Sequence, residues 1–184
     1  MRCTLKQVRG RLREVAKRTA YPAPHFVNRL HCILEAMQLI RTNSDNKDFI
    51  ELVQELDKLN VIRNGEDQKF YAQYNKLDSI KQVVIIYEKE VPVGCGAIKY
   101  FDENTMEVKR MFTRETARGK GVASRVLQEL EKWTRELNFN YCILETGAKY
   151  VEAIGLYKKN GYQIIPNYGQ YIGVETSVCF KKKI

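Results

Sequence analysis

Apolar residues recur along this chain with two different periods. Met37 to Thr42, Gln82 to Tyr87, Val91 to Tyr100, Thr105 to Thr113, Tyr141 to Leu144, Tyr162 to Ile165 and Val174 to Lys181 are short runs rich in β-branched and aromatic residues, bounded by turn residues. Each predicts a strand. Between them the spacing becomes helical. Phe49, Val53, Leu56 and Leu59 share one face of a helix, and Phe70, Tyr71 and Tyr74 mark a short one over Asp67 to Tyr74. Val122, Val126, Leu130, Trp133 and Leu137 form the buried stripe of a long helix, roughly Lys120 to Leu137. Val151, Ile154 and Leu156/Tyr157 line another, Val151 to Lys159, and Gly161 suits the left-handed position that ends it. Asn43-Ser44-Asp45-Asn46 is a turn and cap cluster, Glu88-Lys89-Glu90 a turn between strands, and Gly94 and Gly96 mark a bulge or a close backbone approach. The interleaving predicts one α/β domain with no repeats and no low-complexity linker.

Composition narrows this picture. A chain of 184 residues suffices for one sizeable core. No apolar run approaches the roughly 20 residues of a membrane-spanning helix. Cys3, Cys32, Cys95, Cys142 and Cys179 are odd in number and contain no C-x-x-C pair, so neither a disulfide framework nor a zinc site is indicated. A reducing cytoplasm fits. The net charge is +9, and it is uneven. Residues 1–36 hold eight Lys/Arg against Glu14 and Glu35, which leaves only +3 for residues 37–184. Leu5, Val8, Leu12 and Val15 could line a short basic helix. The leader reads as a targeting presequence, as an arm for nucleic acid or a membrane surface, or as an extension outside the native domain upstream of a start at Met37; the last is favoured. The domain itself has too little charge to steer a nucleic acid, and neither a nucleic-acid nor a membrane partner is expected.

The densest chemical signal is Arg118-Gly119-Lys120-Gly121-Val122-Ala123, between a strand and the long helix. Glycines there let backbone N–H groups turn toward one point, and a helix start adds unpaired donors and the positive end of the macrodipole. The result is a cradle suited to a pyrophosphate. It is not a Walker A loop, and the third glycine of a dinucleotide fingerprint is absent.

The pattern R-x-x-G-x-A ahead of a helix resembles motif A of the GNAT superfamily, the Gcn5-related N-acetyltransferases. Ala153-Ile154-Gly155-Leu156-Tyr157-Lys158-Lys159-Asn160-Gly161-Tyr162 resembles that family's motif B. The resemblance covers about Met37 to Lys182. It implies the acyl-CoA N-acyltransferase fold, a mixed, mostly antiparallel sheet flanked by helices. It implies acetyl-CoA as cosubstrate without a metal, with the diphosphate held by Arg118, Gly119, Lys120, Gly121, Val122, Ala123 and Ser124. Backbone N–H groups of Met111, Phe112 and Thr113 would face the acyl oxygen and the pantetheine arm, because the family's sheet parts at that point. Many members have asparagine where this chain has Tyr150, so that contact is either lost or supplied differently.

Acetyl transfer to an amine needs an uncharged nucleophile. An alkylamine has a pKa of about 10.4, and holding it neutral at pH 7 costs about 4–5 kcal/mol unless a base takes the proton. Glu107 is the expected base, and Glu145, ending the next strand, is the alternate. Strand alternation places Glu107, Lys109 and Met111 on one face, and Met106, Val108, Arg110 and Phe112 on the other. By resemblance, Tyr157 is the acid for the leaving thiolate. Phe70, Tyr71, Tyr74, Tyr168 and Tyr171 could wall the acceptor site. No cysteine has a predicted histidine partner, since His25 and His31 lie in the leader, so direct transfer is expected rather than an acyl-enzyme. The acceptor would be a small-molecule or peptide amine, and a homodimer is compatible. A non-catalytic acetyl-CoA sensor is the alternative.

Overall fold

The computed structural model describes residues 37–184 apart from Lys76, Asp78 and Ser79. The leader therefore lies outside the described residues, as do Cys3, Cys32, His25 and His31. Seven strands form one sheet: β1 (Met37–Thr42), β2 (Gln82–Glu88), β3 (Val91–Asp102), β4 (Thr105–Thr113), β5 (Tyr141–Gly147), β6 (Gln163–Ile165) and β7 (Ser177–Lys183), in the order β1-β2-β3-β4-β5-β7-β6. Every neighbouring pair is antiparallel except β4 and β5. Among the described residues four α-helices accompany it: α1 (Lys47–Asn64), α2 (Gln68–Ala72), α3 (Val122–Glu136) and α4 (Val151–Lys159). Among the described residues no helix is long and apolar enough to cross a membrane.

Both faces of the sheet are covered, which explains the unbroken apolar run Val83-Val84-Ile85-Ile86 in β2. Val83 and Ile85 pack with Phe49, Leu52 and Val53 of α1, while Val84 and Ile86 pack with Val122, Val126, Leu127 and Leu130 of α3. Asn46 caps α1, its side-chain oxygen accepting from the amides of Asp48 at 2.9 Å and Phe49 at 3.2 Å. The buried face of α3 differs from the stripe read in sequence. Leu137 lies just beyond the helix and is exposed, whereas Glu131 and Thr134 are buried. Glu131 is tolerated there because Lys182 donates to it at 2.7 Å, and Thr134 because its hydroxyl donates to Leu130 O at 2.8 Å. Cys95, Cys142 and Cys179 are buried free thiols.

Strand alternation does not hold along all of β4. Cys95 opposes Phe112 and Ala97 opposes Lys109, so Gly96 alone faces both Arg110 and Met111. This is a β-bulge, and Arg110 takes the left-handed conformation with φ 57°. A non-glycine residue there costs about 1–2 kcal/mol. Arg110 Nη2 donates to Asp57 Oδ2 of α1 at 2.7 Å, which helps hold it. The extra residue moves Met111 to the face of Met106 and Val108, under α3, and moves Phe112 to the α1 face. The expected grouping of Met111 with Glu107, and of Phe112 with Met106, is thereby corrected.

Gly96 is the other half of this arrangement. A Cβ on it would lie 2.4 Å from Met111 Sδ and 2.7 Å from Val126 Cγ1. We expect Gly96→Val to destabilise the fold by about 1–3 kcal/mol. The check is a urea midpoint that falls while the slope of the transition is unchanged.

Candidate active site

Strands β4 and β5 pair only from Thr105–Tyr141 to Glu107–Ile143. Beyond those residues they part, and a cavity of about 390 Å³ opens between the end of β4 and α4. Met111, Phe112 and Thr113 wall it on one side, and Ala153, Leu156 and Tyr157 of α4 on the other. The turn before α3 closes one end. Gly119 has φ 74° and Gly121 φ 81°. A Cβ on either would meet nothing within 4 Å, so backbone angle rather than crowding demands glycine here. The first amides of α3, at Val122, Ala123 and Ser124, have no helical carbonyl to bond and border the cavity. Arg118 and Lys159 supply positive charge at its rim. Asn160 Nδ2 donates to Ser124 Oγ at 3.1 Å, tying the end of α4 to the start of α3. Donors, cations and shape fit a diphosphate carrying a long arm. Lys120 differs from its neighbours: its ammonium sits 3.0 Å from both carboxylate oxygens of Glu88, and it does not line the cavity.

A second cavity, of about 150 Å³, continues between the parted strands. Lys109, Glu145, Tyr71 and Tyr171 line it, and Met111, Tyr150 and Tyr157 line both cavities. Burial pushes the Glu145 carboxyl up to about 7, against the opposing effect of the Ser177 hydroxyl that donates to it at 2.7 Å. Glu107 is buried but lines neither cavity. Its Oε1 accepts from Tyr168 Oη at 3.0 Å and from Lys109 Nζ at 3.4 Å. Burial raises the Tyr157 phenol well above its usual range, so it stays protonated. Among the described residues its hydroxyl has no hydrogen-bond partner, and its ring packs on Tyr162 and Phe180.

Tyr150 is committed to α1. Its hydroxyl lies 3.0 Å from Asn60 Oδ1 and 2.9 Å from Asn64 Oδ1, and the Arg63 guanidinium covers its ring at 5.1 Å. Arg63 in turn pairs with Glu152. Gly147 makes room for this ring, since a Cβ there would lie 2.9 Å from it. Asn60, Arg63, Glu152 and Lys159 line the site although sequence reasoning did not single them out. Only the folding of α1 over the parted strands brings the first two there. Of the five aromatics read as acceptor-site candidates, Tyr71 and Tyr171 line the second cavity. Phe70, Tyr74 and Tyr168 stack behind them.

A sheet parted beside a glycine-rich helix start is the arrangement that the resemblance to GNAT proteins implies. Residues 48–162 match the family described as the acetyltransferase (GNAT) family, and the chain belongs to it. It is 31% identical over 124 residues to an IAA acetyltransferase of Azospirillum brasilense, covering 66% of this chain and 81% of that one. A Klebsiella pneumoniae crystal structure assigned to the acyl-CoA N-acyltransferases aligns with TM-score 0.67 and 26% identity, over 80% of this chain and 97% of the other. A GNAT acetyltransferase from Elizabethkingia anophelis, crystallised with acetyl-CoA bound, has the same fold at TM-score 0.60 and 15% identity, over 81% of this chain and 99% of the other.

Two outcomes follow from this geometry. Gly121→Ala should weaken coenzyme A binding more than Gly121→Asn, because asparagine tolerates a positive φ and neither side chain meets a neighbour. Calorimetric titration with coenzyme A measures the difference, and equal losses would point to crowding instead. Glu145 makes stability depend on pH. The folded protein keeps its proton up to about 7, whereas the unfolded chain loses it near 4.5. Its contribution is therefore full below 4.5 and lost as pH rises through about 7. Relative to Glu145→Gln, the wild type should lose stability between pH 5 and 8 in chemical denaturation.

Proposed function

We propose that the protein transfers the acetyl group of acetyl-CoA directly to a primary amine, with Glu145 as general base and Tyr157 as general acid. The observation that carries this reading is the meeting of two cavities at Met111, Tyr150 and Tyr157, one fitted to a diphosphate and its arm and the other holding the half-buried carboxyl of Glu145. The acetyl-CoA bound by the Elizabethkingia anophelis protein supports the choice of donor.

In this reading the cradle at Arg118, Gly119, Gly121, Val122, Ala123 and Ser124 holds the diphosphate. Lys120 adds its amide and a charge already shared with Glu88. The backbone of Met111, Phe112 and Thr113, left without a partner on β5, offers N–H donors to the pantetheine arm and to the developing oxyanion. Glu145 first takes a proton from the acceptor ammonium, and the neutral nitrogen then bonds to the acyl carbon. Tyr157 gives its proton to the sulfur as the carbon–sulfur bond breaks and is reprotonated by the second proton that the nitrogen sheds, so the products are an amide, a free thiol and the protonated Glu145 carboxyl. Both groups are tuned for this. A carboxyl at about 7 is roughly half ionised at neutral pH and a stronger base than an ordinary carboxylate, and the phenol keeps its proton until the thiolate forms.

Glu145 is preferred to Glu107 on geometry. Glu145 lines the cavity next to Tyr157, while Glu107 spends its carboxylate on Tyr168 and Lys109. An amine-panel assay reading thiol release from acetyl-CoA tests the activity; cofactor binding with no release for any amine would identify a sensor. Once an acceptor is found, kcat/KM should rise with pH through about 7. Glu145→Gln should abolish that limb and lower kcat by about 10²-fold or more, with little change in acetyl-CoA affinity.

A further inference from the structure

Charges around the second cavity are paired with one exception. Lys109 pairs with Glu107 at 3.4 Å, and its Nζ lies 3.4 Å from Tyr171 Oη. Arg110 pairs with Asp57 at 2.7 Å. Across Tyr150, Arg63 pairs with Glu152. Glu145 receives the Ser177 hydroxyl, but among the described residues no cation forms an ion pair with it. The three lining charges and their partners thus sum to one negative charge when Glu145 is ionised. The cofactor side is opposite in sign: Arg118 and Lys159 line the first cavity with no carboxylate partner among the described residues.

The walls add a second preference. Tyr71, Tyr150, Tyr157 and Tyr171 line the second cavity; Arg63 and Lys109 already lie over the Tyr150 and Tyr171 rings, and the tyrosines offer apolar ring surface on which methylenes pack. The space is about 150 Å³, well below the roughly 300 Å³ at which pockets for larger ligands begin. An anionic group on the acceptor would meet Glu145, and the lining cation Lys109 is already engaged by Glu107.

Resting on the acetyl-transfer reading, we infer that the acceptor is a slender primary alkylammonium bearing no anionic group, with its nitrogen at Glu145 and its carbon chain among the tyrosines. Such a group is presented by a small free amine or by a lysine side chain. Lys109 is in this scheme a specificity residue, kept from acceptor carboxylates by Glu107.

Matched ligands test this: n-butylamine, 4-aminobutanoate of the same length with a carboxylate, and N-acetyl-lysine methylamide. Binding to the CoA-saturated protein is measured by calorimetry, and kcat/KM with acetyl-CoA by thiol release. n-Butylamine should exceed 4-aminobutanoate by about tenfold or more in both measurements. Comparable acceptance of the lysine derivative identifies the side-chain source, and its rejection the free amine. Glu107→Gln should narrow the butylamine preference by releasing Lys109, and an unchanged ratio in that folded variant overturns the role given to the pair. Equal or better use of 4-aminobutanoate by the wild type overturns the inference and leaves acetyl transfer standing. Preferential binding of n-butylamine with no thiol release supports the inference and overturns acetyl transfer.

Discussion

Strand β4 is bound to β3 along most of its length but to β5 only from Thr105 to Glu107. The site depends on that short pairing. Had the parallel ladder continued, it would have consumed the backbone groups of Val108 to Thr113 and zipped the cleft shut. Each strand stays in place because its other neighbour holds it: β3 for β4, and β7 for β5. Tyr150 and Tyr157 then stand beside the gap, and the bulge at Arg110 turns Met111 into both cavities. Backbone polar groups left open between strands require a partner, either water or a ligand that lies between them like a strand.

This opening sorts the charges. The helix start, Arg118 and Lys159 make one end of the cleft positive, as a diphosphate requires. The other end holds Glu145 beneath tyrosines. Burial is what sets the pKa of Glu145, and it does so because α2 and the loop carrying Tyr171 cover the paired ends of β5 and β7. Fold and chemistry are therefore linked through one element: the gap that leaves amides without a strand partner also shelters a carboxyl.

Much of this was legible in the residue pattern. The β4 span and the α4 limits agree with the periodicity, and the two motifs flank the cleft as the resemblance to GNAT proteins implied. Gly96 was readable as a bulge or a close approach, but which residue on β4 is the extra one was not. Alternation carries no mark of a skipped residue, so Met111 and Phe112 were assigned to the wrong faces beyond Arg110. Leu137 was placed in the buried stripe and Glu131 left out of it for a related reason. A helical stripe indicates which residues prefer burial, whereas Lys182, distant in sequence, decides that Glu131 is buried in an ion pair.

By itself the sequence determined the order of elements, the glycine-rich turn ahead of the long helix and the family, because these rest on local periodicity, backbone preference and contiguous motifs. Tertiary structure decided which carboxyl faces the cleft, since Glu107 and Glu145 are both strand glutamates with nothing local to separate them. It also decided that Tyr150 belongs to α1, through Asn60 and Asn64. Such choices depend on which distant groups arrive nearby, and on how much water they exclude, and no window along the chain contains that information.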